Sequence, residues 1–498
     1  DFQTAPLPYE SQADGSWTTD ATWLNHDVQA LPNAISIVDG VTPVDWNIVR
    51  TSHDITIDTY AGLGRERSVL GLEVASNELQ VNGDNASGTG NGLTVTHYLK
   101  IDGSIDLEGE SQLIQTLDSD LDVTSSGFIE RDQQGTEDLY TYNYWAAPVG
   151  ETNAVSNNND YTLPDILFDG TTPIATPSAP PKSITFLTSG YNGAPGDPIS
   201  IADYWIWKYA NQISDNYPSW QHVRSTGSLQ PGEGFTMKGT VDTGGVITNE
   251  QNYVFNGKPH NGDITLTLSA GNDYLIGNPY ASAIDADEFI LDNINSSGGR
   301  AASDIINGTL YFWDHFANAT HNLGEYEGGY ATYTLMGSTV AISNDIRINN
   351  SGATGSKLPQ QYIPVGQGFF VTAGTGGTVT FKNNQRIFKT EASDPSQFMR
   401  SGGKGKKNNS TARTTNVDNR EKIRLMFDSP KGYHRQILAG VDQNATQNHD
   451  IGYDALLIED NTEDMYWLIN GDKHIIQATD NFDLDQLLPI GVKIEQEG

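Results

Sequence analysis

The sequence contains no cysteine, so neither a disulfide framework nor a thiol nucleophile is available. Basic residues are scarce: 28 Lys and Arg stand against 63 Asp and Glu, a formal net charge of −35 over 498 residues. A phosphate backbone needs a basic footprint, and so does direct docking on an anionic lipid surface; the charge argues against both. No apolar run approaches the ~20 residues that span a bilayer, which argues against membrane insertion. Catalytic signatures are missing too. There is no His-Glu-x-x-His helix, no Gly-x-Ser-x-Gly elbow, no phosphate-binding Gly-Lys-Ser/Thr loop and no Gly-x-Gly-x-x-Gly turn. Gly232-Glu233-Gly234 and Gly366-Gln367-Gly368 lead into strand patterns, so they present no helix N-terminus to a phosphate. A glycosidase needs only two carboxylates, but among 63 acids a pair picked by eye carries no weight. No catalytic residue is assigned and the chain reads as a non-enzyme. It opens at Asp1, without an initiator Met or a signal-peptide pattern, which fits a processed, exported protein.

What is abundant is glycine (51) and tyrosine plus tryptophan (22 and 9), a profile of turn-rich β structure. Two sets of landmarks recur in the same order. Asn143-Tyr-Trp-Ala-Ala-Pro-Val149 is matched with Asn278-Pro-Tyr-Ala-Ser-Ala-Ile284. Pro231-Gly-Glu-Gly-Phe-Thr236 is matched with Pro364-Val-Gly-Gln-Gly-Phe-Phe370. The strand-like runs Tyr253–Asn256 and Val379–Lys382 close the two copies. This predicts a duplicated β unit, with Phe235 and Phe369 entering the core after a tight glycine turn. Tyr204 to Tyr209 reads as a strand. One short helix is expected from Ala283 to Asn293, capped by Asp285 with Phe289 and Ile290 inward.

Upstream, pieces of three to five residues alternate apolar and polar: Ile55–Ile57, Leu70–Val74, Leu79–Val81, Leu93–Val95, Ile105–Leu107 and Leu113–Gln115. Sandwich strands are usually longer. Short strands at tight spacing suit a coil stacked rung on rung, with an irregular or sandwich-like β domain as the alternative. The expected fold is therefore all-β: an N-terminal short parallel β-helix (solenoid) over residues 1–125, then tandem β-sandwich-like domains at 126–260 and 261–400. Residues 401–420, polar and locally basic, read as a flexible linker. Residues 421–498 read as a C-terminal β domain.

Candidate sites are few. Asp118, Asp120 and Asp122 form the densest carboxylate run near a junction and could offer oxygens to Ca²⁺, though the spacing is not that of an EF-hand. In so acidic a chain a solvated acidic turn is the plainer reading. Trp220, Tyr326 and Tyr330 lie in Gly-rich, polar segments and are the aromatic candidates for stacking on a glycan; Trp145 and Trp205 lie inside strand patterns and are expected in the core.

Several stretches resemble secreted surface proteins of Flavobacteria and other Bacteroidetes: Gly127-Phe-Ile-Glu-Arg-Asp-Gln-Gln-Gly-Thr136, Tyr140-Thr-Tyr-Asn-Tyr-Trp-Ala-Ala-Pro-Val149, Leu275-Ile-Gly-Asn-Pro-Tyr280, Ile363-Pro-Val-Gly-Gln-Gly-Phe-Phe370 and Leu488-Pro-Ile-Gly491. Such proteins are similar to cargo of the type IX secretion system. The resemblance implies export by that machinery, an outer-surface or extracellular address, and an adhesin-like or structural role. It brings no catalytic residues. Glycan, another surface protein or copies of the same chain are the expected partners. The rival expectation is a polysaccharide lyase or hydrolase built on the solenoid.

Overall fold

The computed structural model describes residues 8–60, 64–85, 87–170, 180–243, 250–317, 319–345, 347–400 and 418–495. The expected linker at 401–420 lies, save its last three residues, outside them. The chain is nearly all β. From its start it alternates between two parallel ladders. One contains Tyr9–Glu10, Ile48–Thr51, Glu66–Val74, Gly92–Ile101 and Asp120–Leu121. The other contains Gly15–Ser16, Ile55–Ile57, Glu78–Val81, Ser104–Leu107 and Phe128–Thr136.

The register explains the alternation in the sequence. Ile55, Leu79, Ile105 and Ile129 align across one ladder, and Val49, Leu72, Leu99 and Leu121 across the other. All eight are at most 3% exposed. A period of two places every second side chain on the inner face, and each apolar position continues the column of the strand beneath it.

Phe128–Thr136 ends the parallel stack. Its free edge pairs antiparallel with Glu250–Pro259, which pairs in turn with Leu167–Asp169. Copy one of the repeat then contributes an antiparallel pair, Tyr142–Trp145 with Phe235–Lys238, placing Trp145 opposite Phe235. Copy two contributes Asn272–Gly277 with Gly368–Ala373, placing Ile276 opposite Phe369. These registers make Trp145 equivalent to Ile276 and Pro148 to Pro279, which corrects the match of Asn143 with Asn278. A shared Asn-x-x pattern suggested the offset pairing; the hydrogen-bond ladder fixes the other.

The two copies exchange their turns. Glu233 bridges Ile276, and the Gly234 amide donates to the Leu275 carbonyl at 2.8 Å. Reciprocally, Trp145 bridges Gln367, and the Ala146 amide donates to the Gly366 carbonyl at 2.8 Å. Gly232 and Gly366 turn the chain at φ +82° and +72°, a region that favours glycine. Gly234 serves a different need: a Cβ there would lie 2.7 Å from Leu275 Cγ. Phe235 and Phe369 are fully buried, as expected.

Ala286–Asn293 is helical, with Asp285 accepting from the Asp287 amide at 2.9 Å. The expected cap is therefore in place, while Ala283–Asp285 is a short strand. Tyr204 to Tyr209 is not one strand: Asp203–Trp205 is a 3-10 turn and only Trp207–Lys208 is extended. There the Trp205 side chain is drawn inward against Tyr142.

The C-terminal sheet runs in the order Lys422–Asp428, His434–Val441, Asp472–Thr479, Asp464–Ile469, Ile490–Lys493. Leu438 and Ile476 on one side of it join the core of copy two around Phe289, Phe312, Phe369 and Phe381.

Candidate functional site

Tyr142–Trp145 is the strand from which the site is built. Alternation sends Trp145 into the core against Tyr253, Phe255 and Phe398 and sends Tyr142 and Tyr144 to the opposite side. Tyr144 stacks on Trp313 (centroids 5.9 Å, planes 11° apart) and meets Trp220, Tyr330 and Phe370 edge-on at 6.1, 6.3 and 6.1 Å. Its hydroxyl lies 3.1 Å from that of Tyr330. Tyr142 meets Trp205 and Tyr326 edge-on at 5.9 and 6.0 Å. Together these rings form an aromatic seam between the two copies.

Phenol hydroxyls converge along the seam. Burial pushes the Tyr142 hydroxyl well above its ordinary pKa, and the neighbouring phenols of Tyr326, Tyr217, Tyr144 and Tyr204 add to the shift. Lys238 closes one end. Its ammonium lies 4.3, 3.7 and 4.8 Å from the ring centroids of Tyr142, Trp205 and Tyr326, and it bonds to the Tyr326 hydroxyl. Burial drives this amine well below the ordinary lysine range. His321 stacks on Trp205 at 4.7 Å; burial, then the nearby Lys238, lower its pKa to about 4. The rim is open: Tyr217 is 44% and Tyr191 55% exposed. Arg347 lies near Tyr217 and pairs with Asp215 and Asp345, both at 2.7 Å. Such a surface offers flat π faces, hydroxyl donors and acceptors, and one held guanidinium.

The structure brings Trp220 and Tyr330 together here, both half-buried. Tyr326 is near them but only 1% exposed, and its ring serves as a wall around Lys238. Sequence reasoning missed Tyr142, Tyr144, Tyr204, Tyr217 and Arg347. The signal was present in Tyr140-Thr-Tyr-Asn-Tyr144, where an aromatic at every second position lines one face of a strand.

A second polar feature lies on the outward side of the parallel stack. Gln80, Asp106, Glu130 and Asn256 sit side by side on adjacent strands, with Glu78, Glu108 and Asp132 next to them. Burial, then the surrounding carboxylates, raise Asp106 to about 10 and Glu130 to about 7. Asn256 Nδ2 donates to Glu130 at 2.9 Å.

Asp118, Asp120 and Asp122 do not converge in the same way. Asp118 and Asp120 are exposed. Asp122 accepts from the Tyr98 hydroxyl at 2.5 Å and from the Thr124 amide and hydroxyl at 2.9 and 2.8 Å. Those bonds, the Tyr98 one first, hold it at about 2. Among the described residues no group of three or more His, Cys, Asp or Glu is arranged to hold a metal ion, and no helix is long and apolar enough to cross a membrane.

A family model described as a domain of unknown function (DUF8693) matches residues 194–498. No curated protein and no solved structure matches the chain.

Proposed function

Since the chain belongs to the DUF8693 family, whose description names no activity, we propose from its geometry that it is a non-catalytic, adhesin-like surface protein that holds glycan at the aromatic seam. The observation that carries this is the set of half-buried rings Tyr142, Trp220 and Tyr330 packed over the buried Tyr144, with Tyr217 44% exposed at the rim. Pyranose rings present C–H faces to aromatic planes and hydroxyls to phenols, so the seam meets both halves of a sugar. Lys238 Nζ lies 3.4 Å from His321 Nδ1, but the lysine is 2% exposed and enclosed by the rings of Tyr142, Trp205 and Tyr326, which keeps the amine from a bound sugar. The alternating ladders support reading residues 1–125 as a short β-helix, and the exchanged turns support two interlocked sandwich-like units. Export by the type IX machinery and an extracellular, outer-surface address are proposed from the resemblance of the motifs.

The outward carboxylate row is the feature a polysaccharide-active enzyme would also use. The deciding experiment is a glycan array combined with reducing-end and unsaturated-product assays on the purified chain. Binding without turnover, lost in Tyr217→Ala and weakened in Trp220→Ala, is expected. Turnover, or binding indifferent to both changes, would overturn the reading.

A further inference from the structure

The aromatic surface does not stop at the seam. Trp207–Lys208 and Gln221–His222 pair antiparallel, with Trp207 opposite His222. Directly opposed side chains share a face. Here the two rings stack, their centroids 4.0 Å apart and their planes at 9°. His222 is exposed and Trp207 half-buried. Tyr204, also half-buried, meets both edge-on at 6.0 and 5.2 Å. Burial raises the Tyr217 phenol above its ordinary pKa; Asp345 and the Tyr204 phenol add to the shift and Arg347 opposes it, so all three lie beside Tyr217. Trp220, Tyr217, Tyr204, Trp207 and His222 thus continue from the seam as one run of rings, each at least partly open to solvent.

The cations beside this run already hold acids. Arg347 grips Asp345 through Nε and Nη2, at 2.8 and 2.7 Å, and reaches Asp215 Oδ1 at 2.7 Å and Glu459 Oε1 at 3.7 Å. Burial raises Glu459 to about 7. Even with that carboxyl protonated, two acids face one guanidinium, and the Asp215 side chain is 80% exposed. At the other end Arg224 donates to the buried Asp203 at 3.0 Å. Lys208, which alternation turns away from the Trp207 side, bonds to Glu233 at 2.8 Å. Burial, then Arg224, lower the pKa of His222, so its ring is uncharged at neutral pH. A uronate or sulfate laid along the run would meet cations that are already paired and a net negative charge at one end.

We propose that the run extends the seam into a strip for a neutral polysaccharide chain, with Trp207 and His222 as a further sugar platform and Asp215 and Asp345 turning acidic chains away. This rests on reading the seam as a glycan site. Flat rings in succession suit successive pyranose faces. Affinity then comes from stacking and from hydroxyl contacts rather than from charge.

Isothermal titration calorimetry on the full chain tests it. The probes are cello-, manno- and chito-oligosaccharides, as disaccharides and hexasaccharides, and oligogalacturonates of the same two lengths. A neutral hexasaccharide is expected to bind more tightly than its disaccharide. Trp207→Ala should weaken the hexasaccharide about fivefold and leave the disaccharide unchanged. The hexagalacturonate should bind at least about tenfold more weakly than the neutral hexasaccharide at low salt, with the gap narrowing as salt rises. Asp215→Asn/Asp345→Asn frees the Arg347 guanidinium, and should raise uronate binding while neutral binding, the check on folding, stays as it was. Uronate binding as tight as neutral binding overturns the proposal and leaves the glycan reading standing. So does a Trp207→Ala chain that keeps full hexasaccharide affinity, or a double variant that gains nothing for the uronate. Binding of none of the sugars overturns the glycan reading and the proposal with it.

Discussion

Replacing Glu130 by Gln tests whether the outward carboxylate row is a burden the fold carries. Glu130 lies in register with Asp106 and close to Glu78, Glu108 and Asp132. Its folded pKa of about 7 stands above its ordinary value of 4.5. A carboxyl whose pKa is raised by folding holds its proton in the native state at pH values where the unfolded chain has released it. Stability is therefore lost as pH rises from about 4.5 to about 7, and Asp106 prolongs the loss toward about 10. At ~1.4 kcal/mol per pKa unit, ionised Glu130 costs the fold on the order of 3 kcal/mol. Partial exposure screens that figure and its neighbours share it, so about 1–2 kcal/mol is expected back on neutralisation. Gln keeps an acceptor for Asn256, so the 2.9 Å bond survives. Urea unfolding at pH 5 and pH 8 reads the difference: the two proteins should match at pH 5, and the variant should be the more stable at pH 8. A variant less stable than wild type at pH 8, or an equal difference at both pH values, would refute the reasoning.

Trp145→Ala is expected to cost about 3–5 kcal/mol, because it empties a site 1% exposed beneath Tyr253, Phe255 and Phe398; a loss below 1 kcal/mol by urea titration contradicts its place at the centre of the core. Gly234→Ala should cost about 1–3 kcal/mol through the 2.7 Å approach to Leu275, with the loss read as an earlier urea midpoint; an unchanged midpoint would mean that the exchanged turn has slack. Because no three acids are arranged to hold a metal ion among the described residues, Ca²⁺ is expected to leave the melting temperature unchanged; a rise that EDTA reverses would show that Asp118, Asp120 and Asp122 close on the ion. An unchanged melt in EDTA disposes of calcium as a resident cofactor.

Much of the parallel stack was legible in the sequence. Ile55–Ile57, Leu79–Val81 and Ile105–Leu107 each show period-two alternation, and the structure pairs those residues one above another. The Asp285 cap was equally plain, since a side-chain acceptor ahead of Phe289 and Ile290 is a local signal. The repeat offset was harder. Asn143 and Asn278 look alike, yet long-range pairing sets Trp145 against Phe235 and Ile276 against Phe369. The aromatic seam was half visible. Trp220 and Tyr330 stood out in polar segments, whereas Tyr142 and Tyr144 carried no signal beyond strand alternation, because only the pairing of the two copies brings Trp220, Tyr330 and Phe370 onto their side. The carboxylate row was invisible, because Asp106 and Glu130 are 24 residues apart in sequence and meet only when the ladder aligns them.

The reciprocal turns of the two copies have a mechanical consequence. Tension along the chain cannot peel one unit away from the other by opening a single seam. The Gly234–Leu275 and Ala146–Gly366 hydrogen bonds belong to opposite partners and take up load together, like hooked fingers. Gln212–Ile213 of copy one also caps the Asn272–Gly277 edge of the copy-two sheet, so cutting the chain between the copies should bare that edge and leave it sticky.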